Sequence, residues 1–214
     1  MREKLSITIG RQCGSGGREI AGRVGELLGF ALYDKEVLRL AAQKNGISEG
    51  ALRRVEEKAT SSLLYTLAMG ASLYGKPSFG TDLSISDRLF VTQTDVIKRA
   101  AERENCVFVG HCADYILRNH EHRISIFVYA GKEARIARIC QTVGITHEEA
   151  LSLILNTDKR RMNYYGFYTG KKWGKPENYH LLIDSTRLGI EGTARSVATL
   201  ARLYIEKIRG AVGP

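Results

Sequence analysis

Leu5-Ser6-Ile7-Thr8-Ile9-Gly10-Arg11-Gln12-Cys13-Gly14-Ser15-Gly16-Gly17-Arg18-Glu19-Ile20 is the stretch whose reading decides the fold class of this chain. Leu5 to Ile9 alternate apolar and polar with strong β propensity, and a glycine-rich turn, Gly10 to Gly17, follows at once. Beyond it, from Glu19 on, Ile20, Val24, Leu27 and Leu28 recur at helical spacing until Gly29 supplies a C-cap. The unit is therefore strand, glycine loop, helix. A helix amino terminus so placed offers unpaired N–H groups and the positive end of the helix dipole, and both favour a phosphate. The strict P-loop pattern G-x-x-x-x-G-K-[ST] is not met when counted from Gly10: five residues separate it from Gly16, Gly17 stands where lysine is expected, and Glu19 replaces the magnesium-binding hydroxyl. A tight glycine turn that only closes the strand onto its helix is the plainer account. Ser15, the basic Arg18 and the position of the loop in the first strand-to-helix unit favour phosphate binding by Gly14, Ser15, Gly16, Gly17, Arg18 and Glu19.

Outward from this unit, the chain continues to alternate. Phe30 to Tyr33 is a short apolar segment, Lys35 to Lys44 has a helical pattern, and Ser48 is placed to cap a helix through Lys58. Ser61 to Thr81 reads as a helix to about Leu73 and then a loop through Gly75, Lys76, Pro77 and Gly80, after which Asp87 to Glu104 is helical. Val107-Phe108-Val109 and Ile124 to Val128 suit buried parallel strands, with a short helix-like stretch, Ala113 to Arg118, between them. Lys132 to Val143 and His147 to Tyr164 follow as helices, the second opened by Thr146 and Glu149 in capping-box spacing. His180 to Ile183 is a further apolar segment, and Ile190 to Arg209 is the final helix. This order predicts an α/β fold: a parallel sheet of about five strands with crossover helices on both faces. Ligands of such sheets bind beyond the carboxyl ends of the strands, where Gly10, Gly110, Ala130 and Asp184 fall.

Composition narrows the class of function. A chain of 214 residues with 43% apolar content can bury one core of ordinary depth, and with three prolines and no repeat or low-complexity tract it reads as a single domain with one mobile insertion. Met1 to Lys4 run straight into a strand pattern without a signal-peptide core, and charges interrupt every apolar run well short of the ~18 residues that span a bilayer. A soluble, cytoplasmic protein is expected. Cys13, Cys106, Cys112 and Cys140 lack CxxC or zinc-like spacing, which favours free thiols. The net charge of +9 points to anionic partners, either small phosphorylated molecules or nucleic acid.

Ile7 to Ala21 (ITIGRQCGSGGREIA) resembles the opening of the cytidylate-kinase-like proteins, whose glycine loop carries this GGR variant in place of the usual lysine. Gly110-His111-Cys112-Ala113-Asp114-Tyr115-Ile116-Leu117 is similar to that family's segment after the third strand. Asp158-Lys159-Arg160-Arg161 resembles the acidic-basic start of its lid, and Ile183 to Thr186 with Leu188 to Glu191 resembles the end of its last strand. The resemblance implies a P-loop NTPase-type sheet with a helical lid and an acceptor-binding insertion: one kinase-like domain over residues 1–214, an acceptor-binding region at about 35–105 and a lid at about 158–179. It implies phosphoryl transfer from ATP, with Mg2+, to a nucleoside monophosphate such as CMP or to a related small acceptor. Asp34, Arg39, His111 and Asp114 would then serve the acceptor, His111 standing where the family has arginine, a planar and permanently charged fork for phosphate.

The catalytic residues that follow from the resemblance are Arg18, Asp158, Arg160 and Arg161, with Glu19 or Asp184 placing magnesium. Asp158 and Arg161 lie three apart on a helix, so a surface ion pair is the plainer account of both. The functional account is that a lid arginine stabilises the transferring phosphoryl while the lid excludes water. Tyr164 to Lys175 mixes aromatics, glycines and lysines without a helical or strand period; it is similar to the family's lid, and Gly166, Gly170 and Gly174 suit a segment that closes. Two other functions fit parts of the pattern. A nucleotide-binding protein without transferase activity fits the missing lysine, Glu19 and His111, and an RNA-binding module fits the basic surface and the aromatic segment.

Overall fold

The computed structural model of the chain describes residues 4–34, Gly46 and residues 85–211. In order they form β1 (Ser6–Arg11), α1 (Gly17–Leu28), β2 (Ala31–Tyr33), α2 (Ile85–Arg103), β3 (Cys106–Val109), α3 (Ala113–Ile116), β4 (Arg123–Tyr129), α4 (Lys132–Val143), α5 (His147–Thr169), a 3-10 turn (Pro176–Asn178), β5 (Leu181–Asp184) and α6 (Ser185–Ala211). Arg39, the helical patterns at Lys35 to Lys44 and Ser48 to Lys58, and the stretch Ser61 to Thr81 lie outside the described residues.

The strands form one five-stranded parallel sheet in the order β2-β3-β1-β4-β5. Alternation along each strand sends its side chains to two faces. Ile7 and Ile9 of β1, Val107 and Val109 of β3 and Ile124, Ile126 and Val128 of β4 meet Ile20 and Val24 of α1 and Ala194, Val197 and Ala201 of α6 on one face. Cys106 and Phe108 of β3 turn to the other, where they pack with Ile97, Ala100 and Ala101 of α2 and Ala113 and Ile116 of α3. Each fully buried Ile or Val side chain contributes roughly 1.5–3 kcal/mol, so these two layers carry most of the fold. Polar β1 residues are matched across the sheet: the Thr8 hydroxyl donates to Ser125 Oγ at 3.0 Å.

This layering fixes where the site lies. The chain leaves β1 toward the α1 face and leaves the adjacent β3 toward the α2 and α3 face, so a crevice opens between the two turns at the carboxyl edge.

α4 has the bounds the sequence predicts, and Thr146 with Glu149 forms the capping box of α5. Two helices differ most from expectation. α5 continues through Tyr164 and Gly166 to Thr169 and ends at Gly170, so the first half of the aromatic segment is helix. A glycine inside a helix costs about 1 kcal/mol, but Tyr168 stacks on Phe90 of α2 with ring centroids 4.0 Å apart and Tyr164 lies edge-on to the same ring. Such ring pairs contribute ~0.5–1.5 kcal/mol each beyond burial, which offsets the glycine. α6 starts at Ser185 rather than Ile190, because the chain is already helical before a break at Gly189 (φ 63, ψ −170).

Candidate functional site

The glycine loop between β1 and α1 is held by its carbonyls. Arg161 Nη1 donates to the carbonyl of Arg11 at 2.9 Å, Ser15 Oγ to that of Gln12 at 2.9 Å, and Arg135 Nε to that of Cys13 at 2.7 Å. Arg138 Nη1 donates to the Gly14 carbonyl at 2.7 Å, and Ser185 Oγ to that of Ser15 at 2.7 Å. The Gly16 carbonyl takes the first helical bond, from Ile20 N at 2.9 Å. Every carbonyl from Arg11 to Gly16 is thus directed at a protein donor. The N–H groups of Gly14, Gly16, Gly17, Arg18 and Glu19, by contrast, have no acceptor among the described residues. Carbonyls tied outward and amides left unpaired at a helix amino terminus make a concave site for an anion. Gly16 makes the turn possible, as the αL residue (φ 76, ψ 8) ahead of α1.

Asp158 anchors this loop. Its Oδ1 accepts from Cys13 N at 2.7 Å and its Oδ2 from Arg135 Nη2, in a pair whose side chains are 10% and 15% exposed. Arg161 Nη1 is 3.9 Å from Asp158 Oδ1, so the surface pair suggested by their spacing is subordinate to a buried one with Arg135. Asp158 acts on the loop and is better described as a positioning residue. Arg161 is turned inward and bound to the loop backbone, whereas Arg160 donates to Thr157 on its own helix.

Arg18 is occupied. Its Nε and Nη2 both donate to Asp34 Oδ2, at 3.0 and 2.6 Å, with the Arg18 side chain 69% exposed and Asp34 9% exposed. The arginine read from the sequence as the donor-side cation therefore joins Asp34, the carboxylate just past the end of β2. Across the crevice the turn after β3 carries His111, whose Nδ1–H donates to Gln93 Oε1 at 3.3 Å; the Tyr164 hydroxyl donates to the same oxygen at 3.4 Å. Gln93, a buried α2 residue not singled out from the sequence, thus joins the β3 turn to α5. Asp114 accepts from the Tyr165 hydroxyl at 2.6 Å. Loss of solvent raises the pKa of Asp114, with the Tyr165 bond and the charge of Arg123 opposing the shift.

The two carboxylates read as magnesium ligands stand singly. Glu19 is exposed in the first turn of α1, and Asp184 ends β5 with its Oδ1 accepting from Thr186 N at 2.8 Å. The Thr186 side chain and then this backbone bond hold the Asp184 carboxyl below the usual carboxylate range, so it is ionised at neutral pH. No group of three or more His, Cys, Asp or Glu among the described residues is arranged to hold a metal ion. A hard cation arriving with phosphates needs only one or two carboxylates, so the donor set fits that mode and not a metal cage made of protein alone. Among the described residues no helix is long and apolar enough to cross a membrane, and all four cysteines are free.

Sequence reasoning missed Arg11, Arg135 and Arg138. The last two were legible in part, since their i, i+3 spacing puts both on one face of α4; that this face meets the glycine loop is a tertiary fact.

The profile of the cytidylate kinase-like family matches residues 6–187. No curated protein matches the chain. Among solved structures, an uncharacterised protein from Eubacterium ventriosum superposes with a TM-score of 0.69 at 23% identity, over 93% of this chain and 99% of its own. A gluconokinase from Sinorhizobium meliloti gives 0.57 at 14% identity over 100% of both chains. A shikimate kinase from Bacteroides thetaiotaomicron gives 0.51 at 12% identity over 92% of this chain and 98% of its own. The fold is that of the P-loop kinases.

Proposed function

The chain belongs to the cytidylate kinase-like family, and from that premise we propose that it transfers a phosphoryl group from ATP to a nucleoside monophosphate, with CMP the first acceptor to test. The observation that carries the reading is the glycine loop, with its carbonyls bound from Arg11 to Gly16 and its amides at Gly14 and Gly16 to Glu19 left for a polyphosphate. Phosphoryl transfer asks a protein for positioning and charge rather than for a covalent nucleophile, and a braced cradle supplies both.

In this reading the loop holds the donor phosphates, and Arg161 brings charge from α5, with Arg160 one residue away on the lid, proposed for residues 158–179. Asp34, His111 and Asp114, together with Arg39 in the insertion at 35–105, serve the acceptor side within one domain. Asp184 or Glu19 would complete the shell of a magnesium ion carried in by the nucleotide, and that ion would neutralise phosphate charge. A cytoplasmic setting, where ATP is abundant, suits the reading.

The test is a panel of nucleoside monophosphates and small alcohols incubated with ATP and magnesium, with phosphorylated product measured directly. At least one nucleoside monophosphate is expected to be converted above background hydrolysis. ATP binding with no acceptor converted would sink the kinase reading and leave a nucleotide-binding protein.

A further inference from the structure

Arg11 has no role in the scheme above. Counting the loop motif from Gly10 spoils its spacing, but counting from Arg11 restores it: four residues separate Arg11 from Gly16, and Gly17 falls in the lysine position. Three positions still depart: Arg11 stands first, where glycine is usual, Gly17 stands at the lysine position, and Arg18 rather than Glu19 falls at the serine or threonine position.

The structure brings the first two of these into contact. A Cβ on Gly17 would lie 2.8 Å from Cγ of Arg11 and would collide with its Cβ, so the arginine stem fills the space in which a lysine at position 17 would begin. From there the side chain runs to the turn after β3. A Cβ on Gly110 would overlap Nη1 of Arg11 and lie 3.0 Å from its Cζ. The guanidinium is therefore lodged at the seam between the glycine loop and the turn after β3, its stem against Gly17 and its tip against Gly110.

The other cations around the loop are engaged. Arg18 is bound to Asp34, Arg135 to Asp158 and the Cys13 carbonyl, Arg138 to the Gly14 carbonyl, and Arg161 to the carbonyl of Arg11 itself. The Arg11 guanidinium makes neither a hydrogen bond nor an ion pair among the described residues. Burial brings its pKa down to about 9, with the charges of Arg161 and Arg18 acting in the same direction. A half-buried cation without a partner, pressed by a second arginine, is costly until an anion arrives.

We propose that Arg11 takes the part of the P-loop lysine, its guanidinium binding the β- and γ-phosphates of the nucleotide where donor and acceptor loops meet, and that Arg11 and Gly17 are a positional exchange of the motif's lysine and glycine. The inference rests on the phosphoryl-transfer reading for its ligand, a nucleoside triphosphate. It moves the donor-side cation from Arg18, which the sequence singled out, to Arg11.

The experiment is calorimetric titration of ATP into the full chain at low salt, with thermal melting of each variant without nucleotide. Arg11→Met keeps the stem and removes the charge. It is expected to bind ATP about ten- to a hundredfold more weakly, the worth of a charged hydrogen bond, while melting no lower than the wild type because an unpaired buried charge has gone. Arg11→Lys should fall between the two. Gly17→Lys alone should lose ATP, since the lysine and the Arg11 stem need one space, and the exchange variant Arg11→Gly/Gly17→Lys should recover affinity to within about tenfold of wild type.

Wild-type affinity in Arg11→Met, or a lower melting point with unchanged binding, would make Arg11 a packing residue and overturn the inference. Should Arg11→Met not fold, the exchange variant decides: a folded exchange variant that fails to bind ATP counts against the proposal. If the wild type itself does not bind ATP, the phosphoryl-transfer reading falls and takes this one with it. If the wild type binds ATP and phosphorylates an acceptor while Arg11→Met binds normally, only the assignment of Arg11 fails.

Discussion

The turns after β1 and β3 leave neighbouring strands of one sheet, yet they are held in opposite ways. The β1 turn is fixed from outside: side chains of α4, α5 and α6 bind its carbonyls, and Asp158 binds one of its amides. The β3 turn is held mostly through backbone, its Gly110 amide donating to the Ile9 carbonyl of β1 at 3.0 Å. Gly110, His111 and Cys112 have φ values of 77, 54 and 55, and the Ala113 amide closes back on the Gly110 carbonyl at 3.0 Å. A left-handed conformation costs roughly 1–2 kcal/mol for each residue with a Cβ, so the turn after β3 stores strain that the turn after β1 avoids with glycine. A polyphosphate cradle works by being fixed before its ligand arrives, whereas a turn that reads a variable acceptor can carry strain, provided its side chains reach the moving parts. His111 does so through Gln93 and α5.

The largest expected effect breaks the outside bracing. Asp158→Ala leaves Arg135 without its carboxylate and the Cys13 amide without an acceptor, at a site where both side chains of the pair are nearly buried. Removing one partner of a buried pair costs about 3–5 kcal/mol, and urea unfolding should show a loss in that range. ATP affinity should fall with it, since the loop loses its reference point. A loss under about 1 kcal/mol would mean that the donor turn does not depend on this pair, and the contrast with the β3 turn would collapse.

A smaller effect of different character is expected on the other side. His111→Gly relieves a left-handed residue, gaining roughly 1–2 kcal/mol, and gives up the bond to Gln93 and some unfolded-state entropy, each about 0.5–1.5 kcal/mol. Folding stability should therefore stay within about 1 kcal/mol of wild type, ATP affinity should be unchanged, and the KM for the acceptor should rise. A drop of more than about 2 kcal/mol would show that this turn too depends on its side-chain contacts.

Much of this contrast was legible in the residues and part was not. The opening strand, loop and helix, the parallel sheet and the bounds of α4 follow from periodicity and glycine placement, which are local signals. Asp34, Asp158 and Arg161 stand out in the sequence as candidate site residues, but the partners the structure gives Asp34 and Asp158 are distant in the chain, and spacing points only to near neighbours such as Arg161 for Asp158. Arg11 was passed over because the motif was counted from the first glycine, and only the contact of its stem with Gly17 shows where the register lies. The run of α5 past Gly166 depends on Phe90, an aromatic on another helix, so a local period had no means of showing it.

The smallest expected effect asks whether charge contributes anything on the acceptor side. Asp114 follows the strained turn and receives the Tyr165 hydroxyl at 2.6 Å, which ties α3 to α5. Its pKa is raised, chiefly because burial strips water from the carboxylate, while the Tyr165 bond and Arg123 pull it back. The folded protein then holds this proton to a higher pH than the unfolded chain does. The stability owed to the group is therefore complete below the ordinary carboxylate pKa and is lost as pH rises through the folded value. At neutral pH the charge is a net cost. Asp114→Asn keeps an oxygen for the Tyr165 hydroxyl and removes the charge, so thermal midpoints of variant and wild type should draw apart in the variant's favour between strongly acid and neutral pH. The gain should be at most about 1 kcal/mol, because a charged hydrogen bond is exchanged for a neutral one. The reverse trend, with the variant falling behind as pH rises, would mean that the Tyr165 bond outweighs desolvation. The turn after β3 would then be held by charge as the turn after β1 is, and strain alone would no longer set the two apart.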